Sequence, residues 1–178
     1  MPEVPVSKDK RELILALHNT VQSVVLLENI ASKKGDERRL LFEKILNTRE
    51  SVKRAGNSLL NTRDAIFEAR TDKYIFLHEL YKISNIATNI SGILAIESIG
   101  FSEEFQVKIN DIISDISVAA QSIDFTSVPD TSETIKKIRA MRESLLKKDL
   151  DKKIYVLMEK VVDGMQQIVF SLDKINQF

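Results

Sequence analysis

Apolar residues recur along this chain at alternating steps of four and three, a spacing that suits an α-helix and little else. The clearest run is Ile154, Met158, Val161, Met165, Ile168 and Leu172. Phe105, Ile109, Ile112, Ile116, Ala119 and Ile123 repeat it, and so do Phe76, Leu80, Ile83, Ala87, Ile90 and Leu94. Steps averaging 3.5 residues keep one stripe on one side of a helix and favour neighbours crossing at roughly 20°. Alternation of period two is nearly absent. Of the three prolines, Pro2 and Pro5 sit near the N-terminus and Pro129 in mid-chain, which leaves long uninterrupted helical stretches.

This pattern predicts an all-α, up-and-down bundle of about six helices. The first spans about 8–32 with Ile14, Leu17, Val21 and Val24 on its apolar face, and Gly35 supplies a C-terminal stop. The second spans about 36–69 on Leu41, Ile45, Val52, Ala55, Leu59 and Ile66, with Gly56 marking a bend or a close helix contact. Thr71 or Asp72 caps the third, which runs to about 99 before Gly100. Ser102 caps the fourth, to about 123. Asp130 and Glu133 read as a capping box for the fifth, to about 148, with Ile135, Ile138, Met141 and Leu145 inward. The sixth fills 150–178. Residues 1–7 are expected to be a flexible tail, and 8–178 one domain. "DKYI" at Asp72 and "DKKI" at Asp151 open the third and sixth helices, which suggests two three-helix pseudo-repeats, about 8–100 and 101–178.

Composition excludes several functional classes. Lys plus Arg and Asp plus Glu number 26 each, so no net charge draws nucleic acid or anionic lipid. With 6% aromatics and no Trp, a stacking platform for bases is not expected. No cysteine is present, which removes disulfides and thiolate metal sites and suits a reducing cytoplasm. No Gly-rich phosphate loop and no nucleophile–base spacing occurs, so no enzymatic activity is expected. The least charged internal stretch, Ile83 to Ile96, has 14 residues where a membrane-spanning helix needs about 20, and it reads as a core helix. His18 reads as a surface histidine, and His78 beside Glu79 as a pair with potential pH sensitivity. The basic stretch "KKIRAMRESLLKK" carries core spacing as well, so its charges form a solvated helix face.

One pair of acids could carry chemistry. Glu159 and Asp163 are four residues apart and share a face of the last helix, about 140° and 180° from its apolar stripe. Two carboxylates could hold a hard cation if other helices added oxygen ligands; alone they are too few, and charges turned outward are the ordinary reading.

The stretch "KKIYVLMEKVVDGMQQIVFSLDKI" resembles the closing helix of the PhoU-like family, in particular the small PhoU-related proteins that accompany Pit-type phosphate transporters. There the helix reads Ile-Tyr, then Leu-Glu-x-x-x-Asp, then a hydrophobic tail. The resemblance implies four acidic motifs that build surface clusters of iron, zinc or other cations. Glu159 and Asp163 match one of them. In the third helix "ISNIATNI" keeps the apolar frame, with Ser84, Asn85 and Thr88 where the family has acids. The second helix offers Glu50 with Leu46 in the partner position, and the fifth Glu143 with Arg139. Three of four motifs are thus degraded, and an arginine in the cluster opposes a cation. The resemblance implies a non-enzymatic, cytoplasmic accessory or regulator of inorganic phosphate transport that docks on a membrane transporter. Balanced charge and short apolar stretches point to no nucleic acid and no membrane-spanning segment, and the degraded motifs to no resident cofactor, with Glu159 and Asp163 a remnant able at most to hold one weakly bound divalent metal or iron ion. The alternative is a structural, homodimerising bundle with no ligand. A diiron carboxylate protein ranks below both, since neither histidine follows a Glu at three residues.

Overall fold

The computed structural model describes residues 8–33, 35–60, 70–96, 101–123, 130–148 and 150–175, with side chains given from 11 and from 72 in the first and third of these segments. Six helices follow in chain order: α1 (Lys8–Ser32), α2 (Asp36–Leu60), α3 (Arg70–Ala95), α4 (Glu103–Gln121), α5 (Ser132–Leu146) and α6 (Lys152–Ile175). Among the described residues there is no strand, and the all-α bundle is the fold. The tail at 1–7, Ile66, Gly100 and Pro129 lie outside the described residues.

The turns follow local chemistry. Gly35 adopts φ of 60°, a left-handed conformation that lets the chain leave α1 and re-enter α2 at once. Arg38 then fastens this corner: its guanidinium donates to the Ile30 carbonyl at 3.0 Å and to the Leu94 carbonyl at 2.8 Å, so one side chain satisfies the C-terminal ends of both α1 and α3. Ser102 caps α4 as its sequence predicts, its hydroxyl accepting from the Phe105 N–H at 3.3 Å. Asp151 does the same for α6, accepting from the N–H groups of Lys153 and Ile154. Three local expectations are corrected. Thr71 and Asp72 sit inside the first turn of α3, not at its cap, because the helix already runs from Arg70. Asp130 bonds the Ser132 N–H, two residues on, and Thr131 takes the N-cap position, so no capping box forms. Gly56 admits no close helix contact: α2 runs through it without a break, and nothing lies within 4 Å of where a Cβ would stand.

α1 packs against α2, α3 and α4, and α2 also against α3; α3 packs extensively on α6, while α5 packs on α6 and both touch α4 more lightly. The seams of α3, α4 and α6 bury as their spacing requires, from Phe76 to Leu94, Phe105 to Ala119 and Met158 to Leu172. The face of α1 is shifted. Val24 is buried and Leu17 packs against the core as predicted, but Ile14 is 52% exposed, and the buried side also takes in Leu13, Ala16, Thr20, Ser23, Leu27 and Ile30. The reason is contact with three neighbours at once. Against α3 the helix presents small hydroxyl residues: the Thr20 hydroxyl donates to its own Ala16 carbonyl at 2.9 Å and approaches the Leu80 carbonyl at 3.4 Å, while Ser23 meets Ser84 at 2.7 Å. Small side chains let two backbones approach, and each buried hydroxyl finds a partner. By length and apolar composition Arg11–Ser32 is the one helical stretch among the described residues that could cross a membrane; in the fold 44% of its most apolar window is buried against the other helices.

Candidate functional site

Asp163 and Glu159 share the half-buried flank of α6, as their angular separation from the seam requires. Asp163 is ion-paired to the Arg142 guanidinium of α5, 21 residues earlier in the chain. A charge-assisted pair of this kind satisfies the carboxylate directly, and a cation bound there would have to displace or sit beside a positive charge. The next residue, Gly164, is buried where α6 crosses α3. A Cβ there would stand 2.9 Å from the Ile90 Cδ1 and 3.2 Å from the Ile86 Cγ2. The glycine therefore sets how closely the two helices approach.

The other positions of the acidic pattern do not converge on this pair. Ser84 is fully buried and turned to Ser23 of α1, and the Thr88 hydroxyl donates to the Ser84 carbonyl at 2.8 Å. Leu46 and Glu50 lie on α2, whose substantial contacts are with α1 and α3 alone, and Glu50 accepts from Arg49 at 3.1 Å. Arg139 and Glu143 are exposed on α5. Among the described residues no group of three or more His, Cys, Asp or Glu side chains is placed to hold a metal ion. Arg142, rather than Arg139, is the arginine that meets the acid; it lies three residues further on, on the side of α5 turned toward α6.

Among the described residues the most connected acid is Glu79, which sequence spacing paired with its neighbour His78. Adjacent helical residues point about 100° apart, and the two separate accordingly. His78 is exposed and stacks on Tyr74, ring centroids 6.4 Å apart at 11°. Glu79 is buried between α3 and α6, accepting from the Ser171 hydroxyl at 2.6 Å and from Lys174 at 3.1 Å, with Lys82 at 3.8 Å. Burial pushes its carboxyl up, and the Ser171 hydrogen bond with the two ammonium groups outweighs that, so its pKa ends below the ordinary value. The signal available in the sequence was position: Glu79 directly precedes the seam residue Leu80 and Ser171 directly precedes Leu172, so both stand at the edge of a buried stripe.

Polar links also hold α5 in place. The Thr131 hydroxyl donates to Asp173 at 2.8 Å; Lys137 bridges Asp111 at 2.8 Å and Asp115 at 2.7 Å; Lys148 reaches Glu104 at 2.6 Å. Lys108 and Lys148 hold the Glu104 carboxyl at about 2, and two aspartates raise the pKa of Lys137. Arg142 to Asp163 belongs to this set. The acid of the sequence motif thus works, in the fold, as one of several fasteners of a short helix. No family model, no curated protein and no solved structure matches the chain.

Proposed function

We propose that this chain is a PhoU-like accessory protein of inorganic phosphate transport, non-enzymatic and cytoplasmic, which acts by docking a helix face on a membrane transporter. The observation that carries this reading is the α6 segment, which joins Ile154-Tyr155 and the Glu159-x-x-x-Asp163 pair, with Met158 where the family has Leu, to a seam packed on α3. Two three-helix pseudo-repeats belong to this reading, as the matching openings at Asp72 and Asp151 suggest. The engagement of Asp163 by Arg142 supports a member that docks without a multinuclear metal cluster, with Glu159 and Asp163 a remnant able at most to hold one weak ion. Phosphate status reaches the docking through the transporter in this reading.

The test is direct. Purified protein is mixed with a Pit-type transporter in lipid nanodiscs at low and at high phosphate, and association is followed by light scattering. Complex formation whose extent changes with phosphate is expected; no association at either concentration sinks the proposal. A second reading, a homodimerising bundle, draws on exposed Ile14 and Leu15 beside Arg11 and His18 on α1. The same light-scattering measurement on the protein alone gives the mass of a dimer if that reading holds and of a monomer if it does not.

A further inference from the structure

α5 turns two different sides to its neighbours. Ile138, Arg142 and Leu145 follow steps of four and three, so they share one side of the helix. That side is held by α6: Arg142 is ion-paired to Asp163, Ile138 and Leu145 are buried, and at the N-cap the Thr131 hydroxyl donates to Asp173. Thr134, Lys137 and Met141 form the adjoining side, about 100° round the helix, and meet α4. There the packing is incomplete. Two open grooves, of about 200 and about 490 Å³, lie between α4 and α5. Ile112, Ala140 and Met141 line the first; Val118, Ala119 and Thr134 line the second. Lys137 lines both, its ammonium 2.8 Å from Asp111 of the first and 2.7 Å from Asp115 of the second.

The two sides therefore rest on different physics. Toward α6 the helix has apolar burial, which salt does not weaken. Toward α4 it relies on Lys137 at mid-helix and on Lys148, just past its end, reaching Glu104 at 2.6 Å. Pairs this exposed contribute little each and are screened by salt. The side held by few apolar contacts and solvent-accessible links is the one that opens at lower cost.

We propose that α5 is a hinged flap: it parts from α4 while staying on α6, and Lys137 is the latch that Asp111 and Asp115 hold shut. Parting joins the two grooves into one cleft and uncovers Ile112, Ala119 and Met141, all buried in the closed fold. Ionic strength then sets how much of this apolar surface the protein displays. The motion stands on the α4–α5 seam alone, whether or not the chain docks on a transporter.

The chain has no cysteine, so a single introduced thiol reports one position. Ala119→Cys places it on the α4 wall of a groove. Ile138→Cys places it on the α6 side of α5, and Ser91→Cys replaces a fully buried hydroxyl of α3 by a group of similar shape, which reads opening of the whole molecule. The rate of reaction with a chromogenic aromatic disulfide follows the population of the state that exposes each thiol. Adding Lys137→Gln should speed labelling at position 119 about fivefold, the worth of two half-exposed ion pairs, and leave positions 138 and 91 unchanged. Raising sodium chloride from about 0.05 M to about 1 M should speed labelling at 119 with Lys137 in place, and less in the Lys137→Gln variant. An unchanged rate at 119 overturns the proposal. So does equal acceleration at all three positions, because Lys137→Gln then loosens the whole molecule. Acceleration at 138 that matches 119 overturns it as well, since α5 would then leave α6 too.

Discussion

Two glycines in this bundle respond in opposite directions to the same substitution. At Gly56 a methyl group meets open space, so Gly56→Ala should stabilise the protein by about 0.5–1 kcal/mol through helix propensity and the unfolded chain's lost freedom. At Gly164 the methyl would press on Ile90 and Ile86. Overpacking of that kind costs roughly 1–3 kcal/mol and exceeds the propensity gain, so Gly164→Ala should destabilise by about 1 kcal/mol net. Urea denaturation of both variants checks the pair of signs; equal effects would contradict the packing described for α3 and α6. Glu79 gives a pH prediction. Its carboxyl binds a proton less readily in the folded chain than in the unfolded one, because Ser171, Lys174 and Lys82 favour the charged form. The stability it contributes is therefore complete above the ordinary value of 4.5 and is lost as the pH falls through the lower folded-state value. Glu79→Gln should cost about 1–2 kcal/mol at pH 7, since both lysines can turn to solvent, and should make urea midpoints less sensitive to pH between neutrality and acid. An unchanged acid slope in that variant would show that other carboxylates set it.

At the scale of the helix, α5 is the element held differently from the rest. It is the shortest of the six at 15 residues, and its buried side chains are Thr134, Ile138, Met141 and Leu145. The polar links to Asp173, Asp111, Asp115, Asp163 and Glu104 are spread along its whole length. Most of these are partly exposed, and such pairs are weakened by salt because the screening length falls to about 3 Å at 1 M. Hydrogen exchange followed by mass spectrometry should therefore find α5 amides exchanging faster in 1 M than in 0.05 M sodium chloride, with α3 much less affected. Asp163→Asn should reproduce part of that effect at low salt by releasing Arg142. α3 is the opposite case. It buries Phe76, Leu80, Ile83, Ala87, Ile90 and Leu94 between α1, α2 and α6, so its amides should open only with the whole molecule.

For the molecule as a whole, the expected response to metal follows from where the acids ended up. Only an ion that binds the native chain raises its stability, by an amount set by concentration over Kd. With Asp163 paired to Arg142 and no group of three candidate ligands among the described residues, thermal melts with and without EDTA should coincide. Arg142→Gln frees the carboxylate, and in that variant millimolar Mn²⁺ or Fe²⁺ should raise the melting temperature more than in wild type. A chelator-sensitive wild type would instead mean that Glu159 and Asp163 hold a resident ion.

Among the described residues, the sequence by itself determined which become helix and, for α3, α4 and α6, which side of each is inside. Seam periodicity is a local property, and strongly apolar stripes leave a helix one favourable orientation. It also placed Ser102 and Gly35, because caps depend on a few adjacent residues. It determined less where small residues decide. The inward face of α1 includes Thr20 and Ser23, which bury because each hydroxyl finds a partner, Thr20 on its own helix and Ser23 on Ser84 of α3. Tertiary structure alone decided the fate of the acids. Glu79 became a buried link because Ser171 and Lys174 lie 92 and 95 residues away in the chain and arrive through the antiparallel packing of α3 and α6. Asp163 became the partner of Arg142 for the same reason. A carboxylate's role depends on which charges stand within a few ångströms of it, and spacing along one helix carries no information about charges brought in by another.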